Sequence, residues 1–453
     1  MRLIWAGLIW VIWAGAPRAH VAEQGFVLLL PTDVYIGAGV ASVALTVILL
    51  IFLPKRWGRA CFRPFTLVAL PRPPVRHLTS LLSALGLVAL VGAGLFGARD
   101  PLANPLPLFV WVVWWMAALS LQGLIWDHWR WTNPWTGPAA FLTRVTGARP
   151  PLRYPSRLGV APGLIGFMAF AGFLLADPAP ADPGRLAVIV GVYWLANLGA
   201  VLLFGPRWLL RAEAISMLMR LYGRMAMIGR HRGRLALGLP GWQVPVRGSL
   251  PPGSGLLALI LLGSGSFDGL NETFWWLTLI GVNPLEFPGR SAVITPTLVG
   301  LLVTNAALLL AFFASIRLGL MLSGSGVPLR EALRTFAPSV LPIALGYHIG
   351  HYLTSFLVDG QFVIKAARAT LGLEDIRVTA GFLNTPGTVK VIWLTQAGAV
   401  VTGHVIAILV AHALALRLFG GTRRAVLSQA PLAIFMIAYT FFGLWLLASP
   451  RGM

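Results

Sequence analysis

The sequence predicts an all-α protein: a polytopic bundle of transmembrane helices, about ten spans behind an N-terminal leader. Three observations predict it. The 453 residues are 57% hydrophobic and only 11% charged, where soluble domains carry about 25% charged residues. Mean hydropathy is +0.79. Apolar runs of roughly 20 residues, the length that crosses a bilayer, recur along the chain with basic loops between alternate runs.

The elements follow in order. Arg2, the apolar core Leu3–Trp13 and Ala14-Gly15-Ala16 have the order of a secretory signal. Residues 1–19 are therefore read as a signal peptide or an uncut anchor. Pro17 disfavours a cut after Ala16 and leaves Ala19 as the alternative. Residues 20–453 read as a single integral membrane domain. Its spans are expected at 34–53, 78–97, 107–126, 158–176, 185–204, 254–280, 295–322, 337–358, 391–416 and 430–449. The sixth is expected to be interrupted, because Gly263-Ser264-Gly265-Ser266-Phe267-Asp268-Gly269 reads as a broken or re-entrant helix. Such backbone is tolerated at membrane depth only when it is buried in protein or lines a cavity.

Charge sets the orientation. Most of the 35 Lys and Arg fall in loops 54–77, 127–157, 205–253, 323–336 and 417–429, which makes these the inner loops. The net charge of +21 thus reads as the positive-inside signal rather than a nucleic-acid face. An even number of spans puts both mature termini outside. The stretch 207–234, with Arg207/Arg211 and Arg220/Arg224 among Leu, Met and Ile, reads as an amphipathic helix facing anionic headgroups of the lipid bilayer. The tryptophan-rich stretch Phe109–Trp135 reads as an interfacial belt or a stacking platform for an aromatic ligand. The single cysteine, Cys61, excludes an intramolecular disulfide and a multi-cysteine metal site.

Candidate functional residues are the ionisable groups inside the spans, since burying them in lipid is costly. His348 and His351 are three residues apart, about 60° around a helix and about 4.5 Å along it, so both can face one cavity. His404, about halfway along the following span, is expected to join them. His412 lies about 12 Å farther along the helix axis, which suits a relay or interfacial role. Asp268 is expected at similar depth. Three histidines and a carboxylate are a sufficient shell for zinc or copper, and a metal with an open position makes bound water a nucleophile. Asn271, Glu272, Asn305, Tyr347 and Gln396 are candidate supporting groups. Facing histidines on two spans also suit haem, a proton pathway, or plain interhelical hydrogen bonds. Cleavage after Ala19 would make His20 the N-terminal residue and a conditional outer metal site.

At Ala19-His20, Asn133-Pro134-Trp135, Gly265–Leu270, Tyr347–Tyr352, Gly403-His404-Val405 and Ala411-His412 the chain resembles the bacterial integral membrane proteins of the fenitrothion hydrolase family, an organophosphate hydrolase group. The resemblance implies an inner-membrane hydrolase of phosphotriesters and assigns no catalytic residues. Together, residues and resemblance lead to one expectation: metal-assisted hydrolysis of a small apolar organophosphate or related ester, with His348, His351 and His404 on the metal and Asp268 completing the shell or acting as general base. The alternatives are a transporter or channel for a metal ion, proton or small solute, and a haem-binding membrane subunit. A second subunit or homo-oligomer stays open.

Overall fold

The computed structural model describes Val27 and residues 29–52, 60–69, 75–247 and 250–452. The leader, its cleavage site and His20 lie outside the described residues. Helix dominates. Seven helices are long and apolar enough to cross a membrane. They include α1 (Thr32–Phe52), α2 (Arg76–Phe96), α3 (Pro105–Leu124) and α5 (Pro183–Phe204). The other three contain α8 (Ile294–Ser323), α10 (Pro386–Phe419) and α11 (Thr422–Ala448). Two shorter apolar helices, α4 (Ala161–Ala176) and α7 (Ser254–Leu270), and the long α9 (Leu341–Thr370) complete the bundle. The expected spans overlap these helices, of which seven are of membrane-spanning length.

Local chemistry sets their starts. Asn104 accepts a bond from Leu106 N ahead of Pro105, and Asp182 accepts one from Arg185 N ahead of Pro183. Each supplies an oxygen to an orphan helix donor, followed by proline where no donor is needed. Burial then sorts the helices. α10 is the most buried of the seven at 67%, and α1 and α2 are the least at 17% each. The centre is therefore α7, α9, α10 and α11, with α8 and α1 packed around α11 and with α2 and α5 paired at the periphery.

A close seam joins α9 to α10. A Cβ at Gly346 would sit 2.5 Å from the Ala399 carbonyl oxygen, and one at Gly403 2.5 Å from that of Pro342. Gly350, one turn on, lies against the Gln396 carbonyl. Small residues four apart let helix backbones meet in this way. The glycine side of Tyr347-His348-Ile349-Gly350-His351-Tyr352 is thereby committed to α10. His348, 200° round from Gly346, is turned the other way.

The sixth expected span differs from its reading. α7 is continuous helix through Gly263–Gly269. The glycines serve contact instead: a Cβ at Gly263 would meet Asn305 Oδ1 at 2.6 Å, and one at Gly269 would collide with the Tyr347 hydroxyl. The break comes at Asn271–Thr273, where Thr273 caps the short helix Phe274–Leu279.

The stretch 207–234 also differs. It is not one surface helix but Arg207–Arg211, α6 (Ala214–Tyr222) and the start of a β-hairpin. Glu213 divides the two helices, accepting bonds from Ile215 N, Ser216 N and the Tyr193 hydroxyl. Burial raises the Glu213 carboxyl pKa above its usual value, an effect its hydrogen bonds oppose. The hairpin strands β2 (Ile228–His231) and β3 (Arg234–Leu237) join β1 (Phe65–Ala69) in an antiparallel sheet of order β1-β3-β2.

The connecting segments gather at two ends. At one, β1 pairs with β3, Trp126 bridges Ile228 and Arg334 donates to the Leu250 carbonyl. At the other, Arg290 donates to the Leu174 and Asp177 carbonyls, and Phe274 N and Gly452 N bond Pro450 and Glu272.

Candidate functional site

The carboxylate of Asp268 is the centre of the site. It stands in the last turn of α7, and two side chains of α9 donate to the same oxygen, Oδ2. His351 Nε2 reaches it at 3.2 Å and the Tyr352 hydroxyl at 2.5 Å. The side chains of His351 and Asp268 are 8% and 15% exposed. The His351 ring stacks on Tyr347 with centroids 5.7 Å apart and meets Tyr352 edge-on at 4.8 Å. Tyr347, His351 and Tyr352 of α9 thus build one wall, because Gly346 and Gly350 hold another side of the helix against α10.

His348 shares that wall. Its Nε2 donates to the Trp115 carbonyl at 3.0 Å, and its ring lies 5.2 Å from the Trp115 ring and 4.9 Å from Tyr352. Trp115 belongs to the part of α3 wound as a π-helix, Leu108–Ala118. That winding is rare and concentrates at functional sites.

Two cavities meet at Asp268. The inner one, about 40 Å³, is lined by Asp268, Tyr347, His348, His351, Tyr352, Trp115 and Ser264, by apolar Phe167, Phe170, Leu261 and Leu262, and by Tyr222 of α6. The other is a polar vestibule of about 290 Å³ at the Arg451 end, lined by Asp268, Glu272, Arg290, His351, Tyr352, Thr354, Gln396, Trp393 and Ser449–Arg451. Leu174, Asp268, His351 and Tyr352 belong to both, so they form the partition between them. Arg451 and Glu272 approach to 3.9 Å across the vestibule.

The candidate residues separate into two groups. Asp268, His348, His351 and Tyr347 come together, with Glu272 and Gln396 in the vestibule, where Gln396 Nε2 donates to Thr354 Oγ1 at 3.2 Å. His404 does not join them. Its Nδ1 donates to the Val400 carbonyl at 2.9 Å within its own helix, and its nearest ring is Tyr439 at 6.4 Å. The expected convergence of three imidazoles is corrected here, and the reason is the glycine seam. α9 turns its glycines to α10 and its histidines to α3 and α7. His412 pairs with Gln429 at 2.7 Å. Asn305 bonds Ser264 and Leu301 between α7 and α8, and Asn271 ends α7. None of these three lines either cavity.

The described residues do not gather the expected metal shell at one point: His404 stands apart from His348 and His351, and His351 Nδ1 and His404 Nε2 are each buried without a hydrogen-bond partner. His348 Nε2 is spent on a carbonyl, and His351 Nε2 on Asp268. Among the described residues no group of three or more His, Cys, Asp or Glu is placed to hold a metal ion. His348 and His404, held separately by Trp115 and Val400, do not form a facing pair for haem. Sequence reasoning missed Tyr352, Trp115, Arg290 and Arg451 as site residues. Tyr352 left a signal as the polar neighbour of His351, and Trp115 as a member of the tryptophan-rich stretch. No known protein family, characterised protein or solved structure matches the chain.

Proposed function

We propose that the chain is a multi-pass protein of a bacterial inner membrane, with ten helices across the bilayer, the Arg451 end outside, and a hydrolytic site for small, mostly apolar esters of the phosphotriester class. The observation that carries the reading is Asp268 on the partition, with its Oδ2 held by His351 and Tyr352 and its side chain open to the vestibule. Oδ1 is then the oxygen that takes a proton from water. The water oxygen bonds phosphorus, the bond to the leaving oxygen breaks, and the proton passes to the departing alkoxide or aryloxide. Proton transfer by a positioned base supplies about 10²–10⁴-fold in such reactions. Arg290 and Arg451 bring positive charge to the developing phosphoryl oxyanion. Leu174, Trp393 and Leu447 supply apolar wall for the ester substituents. No step calls for a metal.

A proton-coupled carrier is the second reading. The inner cavity favours it, because it continues from the same carboxylate to Tyr222 of α6, on the side of the basic end. Purified protein in liposomes separates the two with one chromogenic aryl phosphotriester. Hydrolysis that is lost in His351→Ala supports the enzyme. Uptake of the intact ester with no product formed would replace it with the carrier.

A further inference from the structure

The end opposite the vestibule carries a surface that the proposed chemistry does not use. In the small sheet, Phe65 registers opposite Leu237, and Leu237 opposite Ile228. Residues opposite one another share a face. On that face Phe65 is 76% exposed and Leu237 43%. Arg230, two residues from Ile228 and opposite Leu235, stands on the same face. The other face turns inward at β2 and β3, where Ala236 is fully buried and Gly229 opposite it lies against the Gln243 amide, while β1 is exposed throughout.

Arginines gather beside this sheet. Arg247 Nη2 donates to the Arg230 carbonyl at 3.3 Å. Trp126 bridges Ile228, which brings the neighbouring Asp127 and Arg130 to the strand, and Arg130 Nε bonds Asp127 Oδ2 at 2.7 Å. The charge of Arg224 also acts on Arg247. The stretch 205–253 holds eight arginines and one acidic residue, Glu213, which is buried in the cap of α6. Desolvation, together with the charges of Arg130 and Arg224, pushes Arg247 down to about 10. Positive charge in this excess favours an anion. β1 lies between α1 and α2, the two least buried of the membrane-length helices, so the sheet is tethered to the apolar belt of the bundle.

We propose that the β1-β3-β2 sheet is an interfacial foot that binds anionic phospholipid: Phe65 and Leu237 enter the acyl boundary, and Arg224, Arg230 and Arg247 hold the headgroup phosphodiester. Guanidinium forks match phosphate oxygens two at a time, and apolar side chains beside basic ones suit the boundary between headgroup and chain. The site is independent of the hydrolytic reading. It replaces the single amphipathic helix expected from 207–234 with a sheet that does the same work.

The test uses full-length protein in neutral detergent, with dioleoyl phosphatidylglycerol as probe and dioleoyl phosphatidylcholine and inorganic phosphate as the other arms. Bound lipid is read by native mass spectrometry. The expected result is preferential retention of phosphatidylglycerol, weakened about fivefold for each arginine replaced in Arg224→Gln and Arg247→Gln. Arg224→Lys with Arg247→Lys keeps part of the preference, the charge without the forked contact, and Phe65→Ser weakens both lipids. Should the Gln pair lower the unfolding midpoint in detergent alone, the Lys pair and Phe65→Ser decide. Equal retention of the two lipids by the wild type overturns the proposal. So does full competition by inorganic phosphate, which marks a soluble-anion site, or a lipid-independent dimer abolished by Phe65→Ser, which marks a contact between copies.

Discussion

Asp268 is held by two donors on one oxygen, the arrangement on which the proposed role of its carboxylate rests. Glu213 is the contrast within the same molecule. It is fully buried, and both of its oxygens are used by a helix N-terminus and Tyr193. The histidines divide in the same way. His351 meets a carboxylate, whereas His348 and His404 donate to backbone carbonyls and His412 meets an amide. Sequence spacing placed His348 and His351 on one cavity correctly, because three residues along a helix fix their angle. It did not reveal which ring nitrogen each would spend, since that depends on α3 and α7, far away in the chain. Because those nitrogens are already bonded, activity is expected to survive exhaustive treatment with EDTA or phenanthroline. Loss of turnover on chelation, restored by zinc or copper, would contradict this use of the imidazoles.

Helix packing explains which expectations held. The stretches read as spans are helical, the sixth as two helices, because apolar length is a local property of the chain. The glycine run of α7 was misread, because glycine has two opposite uses: it frees the backbone, or it admits a neighbour. Here Asn305 and Tyr347 fill the space that Gly263 and Gly269 leave open. The α9–α10 seam uses glycine in the second way, and it aims His351 at Asp268. Gly403→Val is therefore expected to force the helices apart, lowering stability by about 1–3 kcal/mol and impairing turnover. Gly398 lies on the same helix with nothing within 4 Å of its Cβ position, so Gly398→Val serves as the control. Unfolding midpoints in detergent compare them. Equal midpoints for the two variants would remove the seam from the explanation of the site.

At the scale of the molecule, the bundle has a basic end closed by a small sheet and an opposite end opened by a vestibule. The alternation of basic loops along the sequence predicted this polarity. The vestibule was not legible, because it forms where Arg290 and the terminal Ser449–Arg451 meet around Asp268 from distant parts of the chain. The proposed orientation puts Cys61, the single cysteine, on the cytoplasmic side. A membrane-impermeant maleimide is expected to label it only after spheroplasts are permeabilised, and labelling of intact spheroplasts would invert the topology. The most direct measurement is hydrolysis of a chromogenic aryl phosphotriester in nanodiscs by wild type and by Asp268→Asn, with the unfolding midpoint of each taken alongside. The expected result is turnover by the wild type and a drop of at least about 100-fold in kcat in the variant at equal stability. Equal rates in the two proteins would show that the carboxylate between the cavities does no chemistry.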